Sequence, residues 1–148
     1  MASLRLICIG RKARDPLLES AQTYQERLSR STKFDLIRLK EGTIESEGEA
    51  ILQKLDNRDW VVALDERGAG LTTMELHGQW NRWIERGAKR ICFIIGGADG
   101  LSDAVKSRAN YQLSLSAMTL PHRFALVLLL EQLYRVEQIR QGTGYHRP

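Results

Sequence analysis

Five short apolar runs, each followed by a stretch of helical period, constrain this chain more than any other feature. Residues 4–9 alternate in apolar character, and 34–39 read as a second strand. Residues 60–64 (WVVAL) and 90–95 are bounded apolar runs, suited to strands covered on both faces. A fifth strand is expected at 111–115. Asp15 and Pro16 open the first helix, Asp as cap and Pro at the first position, with Leu17, Ala21, Tyr24 and Leu28 on one face. An acidic helix is expected at 44–55. Thr72 or Thr73 caps a third, with a stripe of Leu76, Trp80, Trp83 and Ile84. A short helix follows Ser102, and a long one runs from about 121 to 140. Strands separated by helices predict an α/β fold with a mostly parallel sheet flanked by helices. No linker or shift of composition divides the chain, so 1–148 reads as one domain.

Composition narrows the function classes. The chain is 43% hydrophobic and 27% charged with three prolines, which suits a packed core and not a disordered segment. Its net charge of +4 leans towards a polyanionic partner. Cys8 and Cys92 each lie inside an apolar run, whereas a disulfide framework or zinc site needs more ligands at closer spacing. Both read as buried thiols of a reducing cytoplasm. No basic region precedes the N-terminal apolar run. The longest apolar run, 124–130, is seven residues, against the ~20 needed to cross a bilayer. A soluble, cytoplasmic protein with no membrane contact is expected.

Ligands of open α/β sheets bind beyond the carboxyl ends of strands. Three such ends are rich in glycine or small residues, and their convergence is the site hypothesis. Residues 64–70, LDERGAG, hold Gly68 and Gly70, but Thr73 stands where a dinucleotide turn needs its third glycine, and the strand is not the first. The other reading is a tight turn with solvated charges. Residues 94–101, IIGGADGL, place two glycines after a buried strand, where backbone can approach a ligand closely. Residues 116–121, SAMTLP, offer main-chain groups to an adenine edge, with Met118 and Leu120 placed to sandwich its ring. The other reading is a plain strand-to-helix connection begun by Pro121.

His77 reads as a surface or half-buried residue. His122, at a helix start where the macrodipole disfavours imidazolium, suits a neutral hydrogen-bonding role. No second ligand has metal spacing, so no metal site is expected. The helix beginning near Phe124 is apolar all round in its first two turns and must be covered on several sides. A partner subunit in a twofold dimer is the economical cover; complete burial within one chain is the alternative. Glu131 and Arg135 are four apart and can pair. The tail, GTGYHRP at 142–148, carries an aromatic for stacking on a base and His and Arg for phosphate. It also has the composition of an end that frays.

Taken together, LDERG at 64–68, FIIGGADGL at 93–101, LSLSAMTLPH at 113–122, LLLEQLYRVEQI at 128–139 and YHR at 145–147 closely resemble one family. This is the bacterial large-subunit (23S) ribosomal RNA pseudouridine N3-methyltransferase family, of the SPOUT class. The resemblance spans nearly the whole chain. The combination of IGG-x-x-G, LS-x-x-T-x-PH and a terminal YHR is specific, whereas each alone is weak. One departure is AGLTTMELH at 69–77, where many relatives have a serine before the helix.

The resemblance implies a deep trefoil knot in the C-terminal part (about 90–140), S-adenosylmethionine as cofactor and a homodimer. Knots are nearly absent among folds, so nothing in the spacing itself points to one. Carried over by position, the cofactor residues are Leu64, Gly97, Ser116, Ala117, Met118, Thr119, Leu120 and Pro121. The implied chemistry is displacement of a sulfonium methyl by N3 of a pseudouridine in 23S ribosomal RNA, free or within the ribosome. His146 is the candidate to remove the imide proton. Tyr145 would stack or donate to a carbonyl, and Arg147 would anchor phosphate or stabilise the developing anion, with Arg135 as a further RNA contact. The alternative from another class is a non-catalytic ribosome- or RNA-binding factor of the same fold. It suits the basic charge and the tail, but not the glycine-rich loops. The failed dinucleotide fingerprint disfavours a nucleotide-dependent reductase.

Overall fold

A computed structural model of the chain describes residues 2–10 and 14–148. Met1, the start of the segment read above against a targeting sequence, lies outside them. The elements are β1 (Ser3–Ile9), α1 (Pro16–Ser29), β2 (Phe34–Leu39), α2 (Ile44–Gln53) and β3 (Trp60–Gly70), then α3 (Thr73–Glu85), β4 (Arg90–Ile95), α4 (Asp103–Arg108), β5 (Tyr111–Ser114) and α5 (His122–Gln141). The strands form one sheet in the order β2-β1-β4-β3-β5, and every ladder in it is parallel. The expected α/β architecture is the one observed.

Local chemistry sets the helix starts. The Asp15 carboxylate accepts the Leu17 N–H at 2.8 Å, with Pro16 opening α1. Thr72, not Thr73, caps α3: its hydroxyl accepts the Glu75 N–H at 3.1 Å while Glu75 accepts the Thr72 N–H at 2.8 Å. Such reciprocal caps satisfy two amides that the helix leaves without partners. Gly142 ends α5 at φ 73°, a conformation that side chains resist.

The sheet divides the core in two. Leu4, Leu6, Cys8, Phe93 and Val62 face α1, α3 and α5, where Leu28, Trp80, Trp83, Leu129 and Leu130 cover them. Ile7, Ile9, Val61, Ala63, Cys92 and Ile94 face Ile51 of α2 and Val105 of α4. Three readings change in this light. β1 does not stay alternating, because it lies between β2 and β4 and buries Leu6, Ile7, Cys8 and Ile9 on both faces. On α1 the expected face of Ala21, Tyr24 and Leu28 meets the core, but in the first turn Leu18 is buried there and Leu17 is only half-buried. β3 runs on to Gly70, but the residues between Leu64 and Ala69 loop out of its ladder, so the expected turn is an insertion within a longer strand.

A polar staple closes the amino-terminal edge of the sheet. Asp59, buried before β3, accepts two hydrogen bonds of 2.7 Å from Arg90 of β4 and one of 2.7 Å from the Asp56 N–H. Arg108 of α4 donates to the Asp56 and Asp59 carbonyls at 2.9 and 3.1 Å. The three glycine- and small-residue loops emerge at the opposite edge of the same strands.

Candidate active site

Three loops meet beyond the carboxyl ends of β3, β4 and β5, and they enclose a cavity of about 780 Å³. That volume is of the size that holds a cofactor. The first wall comes from an irregularity in β3. Both Leu64 and Ala69 lie opposite Leu113 of β5, so the intervening residues bulge away from the ladder. The bulge presents Asp65, Glu66 and Arg67 to the cavity. Gly68 anchors it: a Cβ there would lie 2.6 Å from the Gln112 carbonyl carbon and oxygen.

The second wall is the turn after β4. Gly96 is buried, and a Cβ on it would lie 2.8 Å from the Gly100 carbonyl. Gly97 bridges to Gly100, and its N–H···O partner geometry places the Gly100 N–H 3.0 Å from the Gly97 carbonyl. The third wall is the turn after β5, which folds on its own hydroxyls. Ser114 Oγ donates to the Ser116 carbonyl at 2.8 Å, and Ser116 Oγ accepts the Met118 N–H at 2.9 Å. Met118 lines the cavity from this turn and is 78% exposed.

Of the eight residues expected to hold a cofactor, Leu64, Gly97, Ser116, Met118, Thr119, Leu120 and Pro121 line this cavity, and Ala117 does not. The charged residues of the wall were visible in the sequence only as solvated turn charges. Thr119 donates to Glu66 at 2.7 Å, tying the first wall to the third. Lys106 of α4 approaches Asp65 at 3.5 Å. His122, the first residue of α5, lines this cavity and a smaller one beside it at the end of β1, between Cys8, Gly10 and Glu41.

The expected RNA residues gather elsewhere. Arg135 is paired with Glu131 on α5, and its guanidinium lies 4.9 Å from the Tyr145 ring centroid. It also approaches His146 Nδ1 at 3.3 Å. Tyr145 meets Tyr134 edge-on at 4.8 Å, and Tyr134 meets Tyr24 of α1 at 6.3 Å. Burial and the neighbouring Glu131 charge push the Tyr145 phenol above its ordinary value. The tail is thus seated on α5, with Arg147 exposed at its end. Ala125 marks the cavity end of α5 and Arg135 the tail end; ten residues at ~1.5 Å each separate them by about 15 Å along the axis. Cavity and tail are two places on one chain.

A parallel α/β protein with a glycine-walled ligand cavity at a strand edge is the class that this fold and site define. The family described as "Predicted SPOUT methyltransferase" matches residues 2–146, and the chain belongs to it. A relative from Anaeromyxobacter sp. (strain Fw109-5) is 42% identical over 97% of this chain and 99% of its own length. Another from Prochlorococcus marinus (strain MIT 9303) is 39% identical over 98% of this chain and 93% of its own. Both are named ribosomal RNA large subunit methyltransferase H. Among solved structures, a probable methylase family protein from Haemophilus influenzae matches 99% of this chain and 71% of its own, with a TM-score of 0.59 at 10% identity. A probable methyltransferase from Bordetella pertussis matches 92% of this chain and 95% of its own, also at 0.59, with 15% identity. At those identities the structures support the fold alone.

The chain is therefore a methyltransferase and requires a methyl donor. Among the described residues, no group of three or more His, Cys, Asp or Glu is placed to hold a metal ion. No described helix is long and apolar enough to cross a membrane.

Proposed function

We propose that this chain transfers a methyl group from S-adenosylmethionine to N3 of a pseudouridine in large-subunit ribosomal RNA. It would act in the cytoplasm as a single-domain protein within a twofold homodimer, with the deep trefoil knot of its class in the C-terminal part. The observation that carries the reading is the convergence of three small-residue loops on one cavity of cofactor size. Glycines at 68 and 96 stand where a Cβ would strike backbone, so the walls close as tightly as the fold allows. The relatives' shared name supplies the ribosomal RNA part of the reading.

The donor suits these residues. Met118, Leu120 and Leu64 offer apolar surface for an adenine ring, and main chain at Gly97 and in the 116–121 turn offers hydrogen-bonding groups. Asp65, Glu66 and Asp99 line the wall together with Arg67 and Lys106, and Lys106 offsets the Asp65 charge. When bound, S-adenosylmethionine supplies a sulfonium methyl group whose departure needs no metal. The protein's work is then to align the nucleophile and to accept or stabilise charge at the imide. His146 would take the N3 proton, Tyr145 would stack on the base or donate to its carbonyl, and Arg147 and Arg135 would hold phosphate. The distance of about 15 Å along α5 between cavity and tail favours a dimer in which each tail serves its partner's cavity.

Mass spectrometry of ribosomal RNA from cells with and without the gene tests the reaction. A methylated pseudouridine is expected to disappear on deletion; an unchanged modification profile would overturn the proposal in favour of a non-catalytic RNA-binding factor. With purified ribosomes, protein lacking 142–148 is expected to bind donor normally and transfer no methyl. Normal turnover of that truncated protein would remove the tail from the site.

A further inference from the structure

Behind the cavity lies a carboxylate that the proposed chemistry does not use. Glu47, in the first turn of α2, is only 8% exposed, and it accepts the Gly42 N–H at 3.0 Å. Gly97 sits directly against it. A Cβ at Gly97 would lie 3.0 and 3.2 Å from the two Glu47 carboxylate oxygens and 3.3 Å from Ile9. With no side chain to intervene, the wall between carboxylate and cavity is one layer of backbone.

The other acidic groups near the cavity are differently placed. Asp65 is paired with Lys106, while Glu66 and Asp99 are exposed. Among the described residues no ion pair neutralises Glu47. Water screens an exposed charge within a short distance, whereas a buried one is felt further away.

We propose that Glu47 is a specificity residue, acting through the Gly97 backbone to favour the cationic methyl donor over its neutral product. The inference rests on the S-adenosylmethionine reading above. The donor carries one net positive charge, from sulfonium and ammonium against one carboxylate. Transfer of the methyl leaves both electrons of the broken bond on sulfur, giving a thioether and a product of no net charge. A fixed negative charge behind the wall therefore holds the donor more strongly than S-adenosylhomocysteine, and it biases exchange of spent product for fresh donor.

Calorimetric titration of the full-length protein with S-adenosylmethionine and with S-adenosylhomocysteine tests this. Glu47→Gln keeps the shape and the acceptor for Gly42 but loses the charge. Glu47→Met, of similar length, loses both, so either variant that folds gives an answer. The ratio of donor affinity to product affinity is expected to fall roughly fivefold or more in the neutral variants. Product affinity should change little, and Glu47→Asp, which keeps the charge, should retain most of the ratio. An unchanged ratio in a neutral variant, or equal loss for both ligands, overturns the proposal and leaves Glu47 a packing residue. Failure of the wild-type protein to bind either nucleoside would sink the donor reading instead.

Discussion

At the scale of single residues, environment decides what each side chain is able to do. Cys8 and Cys92 have the same chemistry as any surface thiol, yet both are enclosed by the sheet faces. Burial pushes the Cys92 thiol up to about 12, with the nearby Asp59 charge adding to it, and burial likewise raises Cys8. A thiol held protonated is a poor nucleophile. Neither cysteine is expected to react with a thiol reagent at pH 8 in the native protein, and both should react after denaturation; mass spectrometry of the alkylated chain checks this. The apolar runs around these cysteines already marked them as interior. The charges of 65–67 carried no comparable mark, because the same Asp-Glu-Arg string suits an exposed turn. Only the double pairing of Leu113 shows that β3 bulges and turns them into a cavity wall.

At the scale of elements, α5 runs from the cavity, at His122 and Ala125, to the tail, at Arg135. Its interior face, Leu126, Leu129, Leu130, Leu133 and Val136, is buried against the sheet. Phe124 and Leu128, one turn apart, remain 48% and 44% exposed. Two large apolar side chains at that spacing form a stripe which a second copy would cover. Leu128→Glu is expected to shift the protein from dimer to monomer in sedimentation, since a carboxylate in an apolar contact is costly to desolvate. A wild-type protein that sediments as a monomer at micromolar concentration would refute the dimer. The helix's apolar character was legible residue by residue, whereas which face meets its own sheet was not. That face depends on where α1 and α3 lie, and both pack against α5.

At the scale of the whole molecule, the amino-terminal staple and the carboxyl-terminal cavity sit at opposite edges of one sheet. Desolvation alone would raise Asp59, but the Arg90 guanidinium and the Asp56 amide outweigh it and hold its carboxyl below the ordinary carboxylate range. A folded value below the unfolded one of ~3.9 means that this stabilisation is fully present above that pH. It is lost as pH falls through the depressed folded value. Asp59→Asn is expected to lower stability at pH 7 by about 1–3 kcal/mol, discounted because Arg90 remains partly solvated. It should also flatten the acid limb of the stability curve below pH 4. Urea unfolding between pH 3 and pH 7 checks both, and an unchanged acid limb would remove Asp59 from the account.

Periodicity, caps and the glycine-bearing loops were enough to determine the α/β class and the ten elements, and to point to the three loops that meet at the cavity. These are local properties: a strand's apolar run, a Thr-x-x-Glu cap or a Gly-Gly after a strand acts through neighbours a few residues away. Tertiary structure decided the rest. It buried β1 on both faces, put Leu18 rather than Leu17 of α1 in the core, bent β3 around Leu113 and set the Glu47 carboxylate against Gly97 from fifty residues away. Each of those contacts joins segments distant in the chain. Strand order and packing bring them together, and no short window of sequence encodes either one.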